Sequence, residues 1–356
     1  MMLADALKAF FCNMSQWLAS PMMRAVQNLE TSRVPVWMMR QAGRYMSEYN
    51  AVREKYTFLE LCKTPELAAE IMLTAVNKLG VDAAIIFSDI LLLLEPLGLK
   101  LTFLPEGGPK ILNPIQTAED AAALPMLESA EQLDCVMQTV RLTRQGLDEI
   151  VPLIGFCGAP FTLAAYAVEG GTSRDFAKVK TFMRTCPLEW IALMKKLALS
   201  AATYLNGQIL SGVQIVQIFD SWAGCLSVDD YYRFVQPYSK LLIENITPGT
   251  PVIHFAPGNP MLLPNVRDAG GNCIGVDWRI PLDKAREILG FDKAVQGNLD
   301  PSILLANRNV IRLFVKKILL QNAGKPGFVF NLGHGIMKET PVENAVAFVE
   351  AVHEFG

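Results

Sequence analysis

The sequence predicts a single-domain α/β fold, a (β/α)8 barrel of the TIM type. Eight short apolar runs, helix-patterned stretches between them, and polar residues gathered at the ends of the runs all point to it. Runs that are apolar on both faces fit parallel strands covered by helices. An open doubly wound sheet is the alternative. No G-x-G-x-x-G follows the first run and no G-x-x-x-x-G-K-[ST] occurs anywhere, so neither a dinucleotide site nor a P-loop is indicated. With no Pro/Ser-rich linker or low-complexity block, the chain divides into an extension over residues 1–20, loosely ordered or an amphipathic helix, and one barrel over 21–356.

The eight strand-like runs begin at Pro35 (PVWMMR), Asp82 (DAAIIFSD), Pro152 (PLIGFCG), Val213 (VQIVQIFDS), Pro251 (PVIHFA), Cys273 (CIGVDW), Ala294 (AVQGNLD) and Phe328 (FVFNLGHG). Helices are predicted where apolar positions recur every three to four residues behind a cap. Thr64 and Pro65 start one that closes on Gly80, Asp300 and Pro301 start another, and Thr340 and Pro341 start the last. The longest connection, residues 90–151, contains LPEGGPKILNP and reads as an excursion over the barrel mouth.

Of the 356 residues, 51% are hydrophobic and the net charge is −3, so no broad positive field exists for nucleic acid or an anionic membrane. Any anion must be held locally. The longest apolar stretches are broken by Asp89 and Glu95, well short of the about 18 residues a membrane span needs. Seven cysteines, an odd number without a C-x-x-C pair, predict reduced thiols in a cytoplasmic protein. The first 20 residues lack the basic start and unbroken apolar segment of a signal peptide.

In a barrel of this type the carboxyl ends of the strands carry the chemistry. Arg40 and Arg44 follow the first run around Gln41-Ala42-Gly43. They are either surface ion-pairing residues or two forks aimed by a glycine-containing bend at one carboxylate or phosphate. Asp89 ends the second run in apolar surroundings, where it either caps the next helix or awaits a cationic or N–H-donating ligand. His334, between two glycines, is the strongest histidine candidate; His254 lies within a strand as a core residue, and His353 is expected to face solvent. Tyr166 and Ser221 are packing or capping residues, or hydroxyl anchors. VEGGTSRDF, residues 168–176, reads as a mobile glycine-rich loop.

Several of these segments resemble the uroporphyrinogen decarboxylase family of tetrapyrrole biosynthesis. PVWMMRQAGRY and IGFCGAPFTLAAYAVEGG look like its two signatures, and FSDIL, QGNLDPS and NLGHGI match further segments, from about Val34 to Phe355. The resemblance implies a (β/α)8 barrel acting as a homodimer without metal or organic cofactor. The implied reaction converts the four acetate side chains of uroporphyrinogen III to methyl groups, giving coproporphyrinogen III. Carried onto this sequence, Arg40 and Arg44 bind substrate carboxylates, Gln41, Ala42 and Gly43 build the binding loop, and Asp89 meets the central pyrrole N–H groups. Tyr166, Ser221 and His334 contact further polar groups of the substrate.

The chemistry explains these residue types. Carbon dioxide leaving an acetate leaves behind an electron pair, and a pyrrole protonated on a ring carbon accepts it. A fixed carboxylate in a water-poor pocket steadies that cation as it forms, so Asp89 must be ionised. Arg40 with a water, or solvent alone, is the expected proton source. Two departures stand out: Trp222 follows Ser221 where some family members have histidine, and PVIHFAPGNP around His254 is atypical. A zinc-dependent methyltransferase of the same barrel superfamily would use His254, but Ala256 stands where its thiolate ligand would be. A non-catalytic tetrapyrrole carrier would need the arginines and not Asp89.

Overall fold

The computed structural model describes Trp17, residues 20–104 and residues 108–356, so nearly all of the expected extension over 1–20 lies outside the described residues. Seven strands form one parallel sheet in the order β1 (Ala84–Ile85), β4 (Leu153–Gly158), β5 (Ile215–Phe219), β6 (Val252–Phe255), β7 (Cys273–Gly275), β8 (Ala294–Leu299) and β9 (Phe328–Leu332). These are seven of the eight expected runs. The short pair β2 (Leu101–Leu104) and β3 (Gly108–Ile111) is antiparallel and belongs to the long connection.

The remaining run, from Pro35, closes the ring with much less strand than its apolar pattern predicts. Val36 makes a single parallel bridge to Phe330, with Phe330 N donating to the carbonyl of Pro35 and Trp37 N to that of Phe330. On its other side the Val36 carbonyl accepts from Asp82 N, next to β1. Side chains then replace the ladder. Asp82 Oδ2 accepts from Val36 N at 2.8 Å, Gln41 Oε1 from Met38 N at 3.2 Å and Asn331 Oδ1 from Met39 N at 3.2 Å. Because those donors are satisfied by side chains, the chain can leave the sheet at Met39 and still bury its backbone.

Register decides what fills the barrel. Phe219, Phe255, Gly275 and Gln296 stand side by side on β5 to β8, and one layer deeper Phe156 stands beside Gln217. Alternation puts these inside and sends Ile218, His254 and Ile274 outward, against the helices. A polar chain crosses the interior, from Trp37 Nε1 to Gln296 Oε1 at 2.9 Å and from Gln296 Nε2 to Gln217 Oε1 at 3.1 Å. Above it, Phe219 lies edge-on to both Phe156 and Phe255 and gives the mouth an apolar floor.

The helices follow their predicted caps with two differences. Pro65–Leu79 closes on Gly80 in the left-handed conformation, and Val342–Phe355 starts one residue later than its Thr-Pro start predicts. The segment from Asp300 is two elements. Asp300 caps only a 3₁₀ turn, Pro301–Leu305, and Asn307 recaps the chain by accepting from Asn309 N and Val310 N to begin Arg308–Asn322. His353 is half-buried rather than fully solvent-facing: its Nε2 lies 2.7 Å from Asp82 Oδ2, and Arg33 pairs with the other oxygen of that buried carboxylate. The loop after Glu169 is fastened rather than free. Ile111 N donates to the Gly170 carbonyl, Gly171 bridges to Lys110, and Phe176 packs on Trp222 with ring centroids 4.8 Å apart.

Candidate active site

A hoop of backbone hydrogen bonds ties the strand ends together at the mouth. Gly158 N donates to Ile90 O, Ala159 N to Phe219 O, Asp220 N to Phe255 O, Val276 N to Gln296 O, Gly333 N to Leu299 O and Ile336 N to Met39 O. Each bond lies where a strand gives way to a loop, so polar residues next to it are held at the rim. Asp89, Ser221 and His334 occupy such positions.

The loop from Met39 to Met46 is built to present arginine. Gln41 is fully buried and its amide is consumed internally, accepting from Met38 N and donating to the Ala83 carbonyl at 3.1 Å. Its own carbonyl accepts from the Tyr45 hydroxyl at 2.7 Å, and the Arg44 carbonyl accepts from Asn50 Nδ2 at 3.0 Å. Ala42 is buried and Gly43 packs on the loop itself, where a Cβ would come within 2.9 Å of the Arg40 carbonyl. Gln41, Ala42 and Gly43 thus support the loop. Arg40, at φ 64°, holds a left-handed conformation that costs a non-glycine residue about 1 kcal/mol or more. Arg40 and Arg44 are exposed, and neither forms an ion pair among the described residues.

On the neighbouring segment Asp89 is half-buried at the end of the β1 run. Its Oδ1 accepts from Leu91 N at 2.9 Å, capping the turn that leads into Leu92–Leu94. The two expectations for this residue therefore coexist: one oxygen caps, and the other has no hydrogen-bond donor among the described residues. Desolvation raises the Asp89 pKa to about 6, against the opposing pull of the Leu91 N–H and the Arg40 charge. Tyr166 stands near both, largely buried, with its ring 5.9 Å from that of Trp222. Burial pushes its hydroxyl up to about 12, so it is a neutral donor.

Ser221 is half-buried on the turn after β5 and forms no hydrogen bond among the described residues. The turn is set by Asp220, fully buried, whose Oδ1 accepts from the Thr162 hydroxyl at 2.9 Å while Thr162 Oγ1 accepts from Trp222 N at 3.3 Å. Burial raises Asp220 to about 7. His334 sits exposed between Gly333 and Gly335. A Cβ on Gly335 would meet Arg40 Cδ at 2.5 Å, so the Arg40 side chain lies across the histidine loop. Desolvation on its protein-facing side, then the charges of Arg40 and Arg279, lower the His334 pKa against the pull of Asp277. The ring is open to water at the mouth, which weakens the first cause and leaves the two guanidinium groups; either cause keeps it neutral at pH 7.

The structure thus brings Arg40, Asp89, Tyr166 and His334 into one electrostatic neighbourhood, with Ser221 on the same rim after β5 and Arg44 exposed further along the loop, near Tyr49. The sequence pattern alone does not mark Phe219 or Arg279, although each adjoins a polar strand end. His254 is fully buried on the outer face of β6, near the backbone of Val266 and Gly270, and does not face the mouth. Among the described residues no group of three or more His, Cys, Asp and Glu is placed to hold a metal, and the six described cysteines are free thiols.

The family described as Uroporphyrinogen decarboxylase (URO-D) matches residues 18–355. The chain belongs to the uroporphyrinogen decarboxylase family. A uroporphyrinogen decarboxylase of Carboxydothermus hydrogenoformans is 50% identical over 335 residues, covering 94% of this chain and 96% of its relative. One from Geobacter metallireducens is 53% identical over 325 residues, covering 91% and 95%. Among solved structures, a methyltransferase from Methanosarcina mazei superposes with a TM-score of 0.77 at 20% identity, covering 95% of this chain and 98% of that one. At that identity the likeness speaks for the barrel alone.

Proposed function

We propose that the mouth of this barrel binds uroporphyrinogen III and removes its four acetate carboxyl groups, giving coproporphyrinogen III. Membership of the family supports the activity. The observation that carries the site assignment is Asp89, a carboxylate with one oxygen free of donors among the described residues, at the edge of an apolar floor. Arg40 lies within electrostatic reach of it, and neither Arg40 nor Arg44 forms an ion pair among those residues. Arg40 and Arg44 hold peripheral carboxylates, and the free Asp89 oxygen accepts from the central pyrrole N–H groups. Those donors pull the Asp89 pKa back below about 6, keeping it charged when charge is needed. Neutral His334, Tyr166 and Ser221 offer hydrogen bonds to the remaining polar groups.

The step balances without an electron acceptor outside the substrate. A proton adds to a pyrrole ring carbon, and the bond to the carboxylate then breaks, its electron pair moving into the cationic ring as carbon dioxide leaves. A proton on the exocyclic carbon makes the methyl group, and the ring carbon releases the first proton. Asp89 stabilises the cation between these events. Arg40, whose guanidinium does not give up its proton in a protein, acts by orienting a carboxylate or a water.

The same resemblance supports a cytoplasmic homodimer working without metal or organic cofactor, with residues 21–356 as the catalytic unit. No helix among the described residues is long and apolar enough to cross a membrane. Anaerobic incubation with uroporphyrinogen, with and without chelator, tests the reading. Four successive losses of carbon dioxide, insensitive to chelator, are expected; binding without turnover would instead favour a carrier.

A further inference from the structure

Arg279 follows the end of β7 on the turn Asp277-Trp278-Arg279, at the carboxyl pole of the barrel. Three contacts hold its side chain. Asp277 Oδ1 accepts from Arg279 N at 2.9 Å, Asp277 Oδ2 accepts from the guanidinium at 2.6 Å, and the guanidinium carbon stacks 4.5 Å from the Trp278 ring centroid. Asp277 is itself nearly buried and also accepts from Gly258 N at 2.7 Å, so the support is rigid. The arginine side chain is nevertheless 46% exposed. Of the five N–H groups of a guanidinium, one is engaged by Asp277, and the others have no acceptor among the described residues.

Its position relative to His334 is fixed by two glycines. A Cβ on Gly333 would come within 2.7 Å of Trp278 N, and one on Gly335 within 2.5 Å of the Arg40 side chain. His334 therefore lies between the Trp278-Arg279 turn on one side and Arg40 on the other. Arg40 lies within electrostatic reach of Asp89 and Tyr166, while Arg279 reaches His334 from the β7 side. We propose that Arg279 is a further substrate-binding residue, a preorganised fork that takes a peripheral carboxylate of the tetrapyrrole on the side of His334 away from Asp89. This rests on the functional reading above and extends its cationic rim from the first strand round to β7. An arginine serving only as counterion to the buried Asp277 carboxylate would have no use for an outward-facing, stacked fork.

Anaerobic steady-state kinetics on uroporphyrinogen, with thermal unfolding of each variant, tests it. Arg279→Gln is expected to raise KM about tenfold or more while kcat stays within about twofold, because the lost interaction is a charged hydrogen bond remote from the reacting ring. Arg279→Lys keeps a charge beside Asp277 without the fork, and its KM should fall between the two; it carries the test if the glutamine variant does not fold. The rise of KM with added salt should be shallower in Arg279→Gln than in the parent. A parental KM in the folded variants, or a loss confined to kcat, would overturn the assignment. Absence of turnover in the parent chain would overturn the functional reading and this inference with it, whereas parental turnover with an indifferent Arg279 would sink the inference alone.

Discussion

Asp89→Asn isolates charge from shape. Asparagine keeps the side-chain volume and an oxygen that can accept from Leu91 N, now at 2.9 Å, so the turn after β1 survives. On the proposed reading, what disappears is the negative charge beneath the ring as it becomes cationic. Loss of one preorganised electrostatic partner of a transition state costs roughly 10²–10³ in kcat, about 2.7–4 kcal/mol, and that is the expected loss here. KM should move only a fewfold, since in that reading the arginines hold the carboxylates. Stability should move the other way. The Asp89 pKa is raised from 3.8 to about 6, so the folded state holds this proton more tightly than the unfolded chain. That contribution is fully present below 3.8 and is lost as pH rises through about 6. Above it the ionised side chain costs at most about 3 kcal/mol, less in practice because Asp89 keeps some water contact. The asparagine variant should therefore unfold at a higher temperature than the parent at about pH 8 and at the same temperature at about pH 3. Anaerobic product analysis gives kcat, and calorimetry gives the two unfolding temperatures. Near-parental turnover in this variant would refute the electrostatic role of Asp89.

In the parent enzyme kcat/KM should fall on the acid side with a midpoint near 6, as Asp89 becomes protonated, and that limb should vanish from the residual activity of Asp89→Asn. Arg40→Gly should weaken substrate binding by about 1.5–3 kcal/mol for the charged hydrogen bond lost, while relieving left-handed strain at φ 64°; an unchanged KM would place Arg40 off the site. Gly335→Ala should reduce activity by driving the Arg40 side chain off the loop it crosses, with little change in unfolding temperature, so parental KM and kcat there would argue against that contact. Asp82→Asn should destabilise by about 1–3 kcal/mol in urea titration, through loss of the Arg33 and His353 pairing, while turnover per folded molecule stays the same.

Most of the barrel was legible because a strand covered on both faces is apolar over most of its length, Gln217, Gln296 and Asn331 being polar residues inside strands, and the polar residues after its last apolar one mark where it leaves the sheet. Arg40, Asp89, Ser221 and His334 could be reached in this way without tertiary information. The first strand is shorter than its pattern because apolarity does not reveal that Gln41, Asp82 and Asn331 supply the hydrogen bonds of a ladder. Two partners of the Gln41 side chain, Met38 N and the Ala83 carbonyl, are 3 and 42 residues away, and only the fold brings the distant one close. His353 looked solvent-facing because its partner, Asp82, is 271 residues distant. Helical periodicity likewise ran through Ala306 because a recapping Asn307 leaves the apolar spacing almost intact.

The same barrel can hold very different chemistry, and here the donor set distinguishes the two candidates the fold admits. A zinc-dependent methyl transfer would need soft ligands converging on the mouth. In this chain the β6 histidine points outward, is fully buried against the helix Leu263–Ala269, and is pushed down to about 4, while Ala256 occupies the place of the thiolate. Reversing that would require turning β6 by one residue, which would also remove Ile253 and Phe255 from the interior. The cost of such a slip falls on the packed core, so the site cannot drift towards metal chemistry by changing one side chain. Asp89 carries the opposite signature: a charge held where burial disfavours it, with one oxygen left for a ligand. A carrier that only gripped peripheral carboxylates would gain nothing from that unfavourable charge, whereas a catalyst recovers it in the transition state.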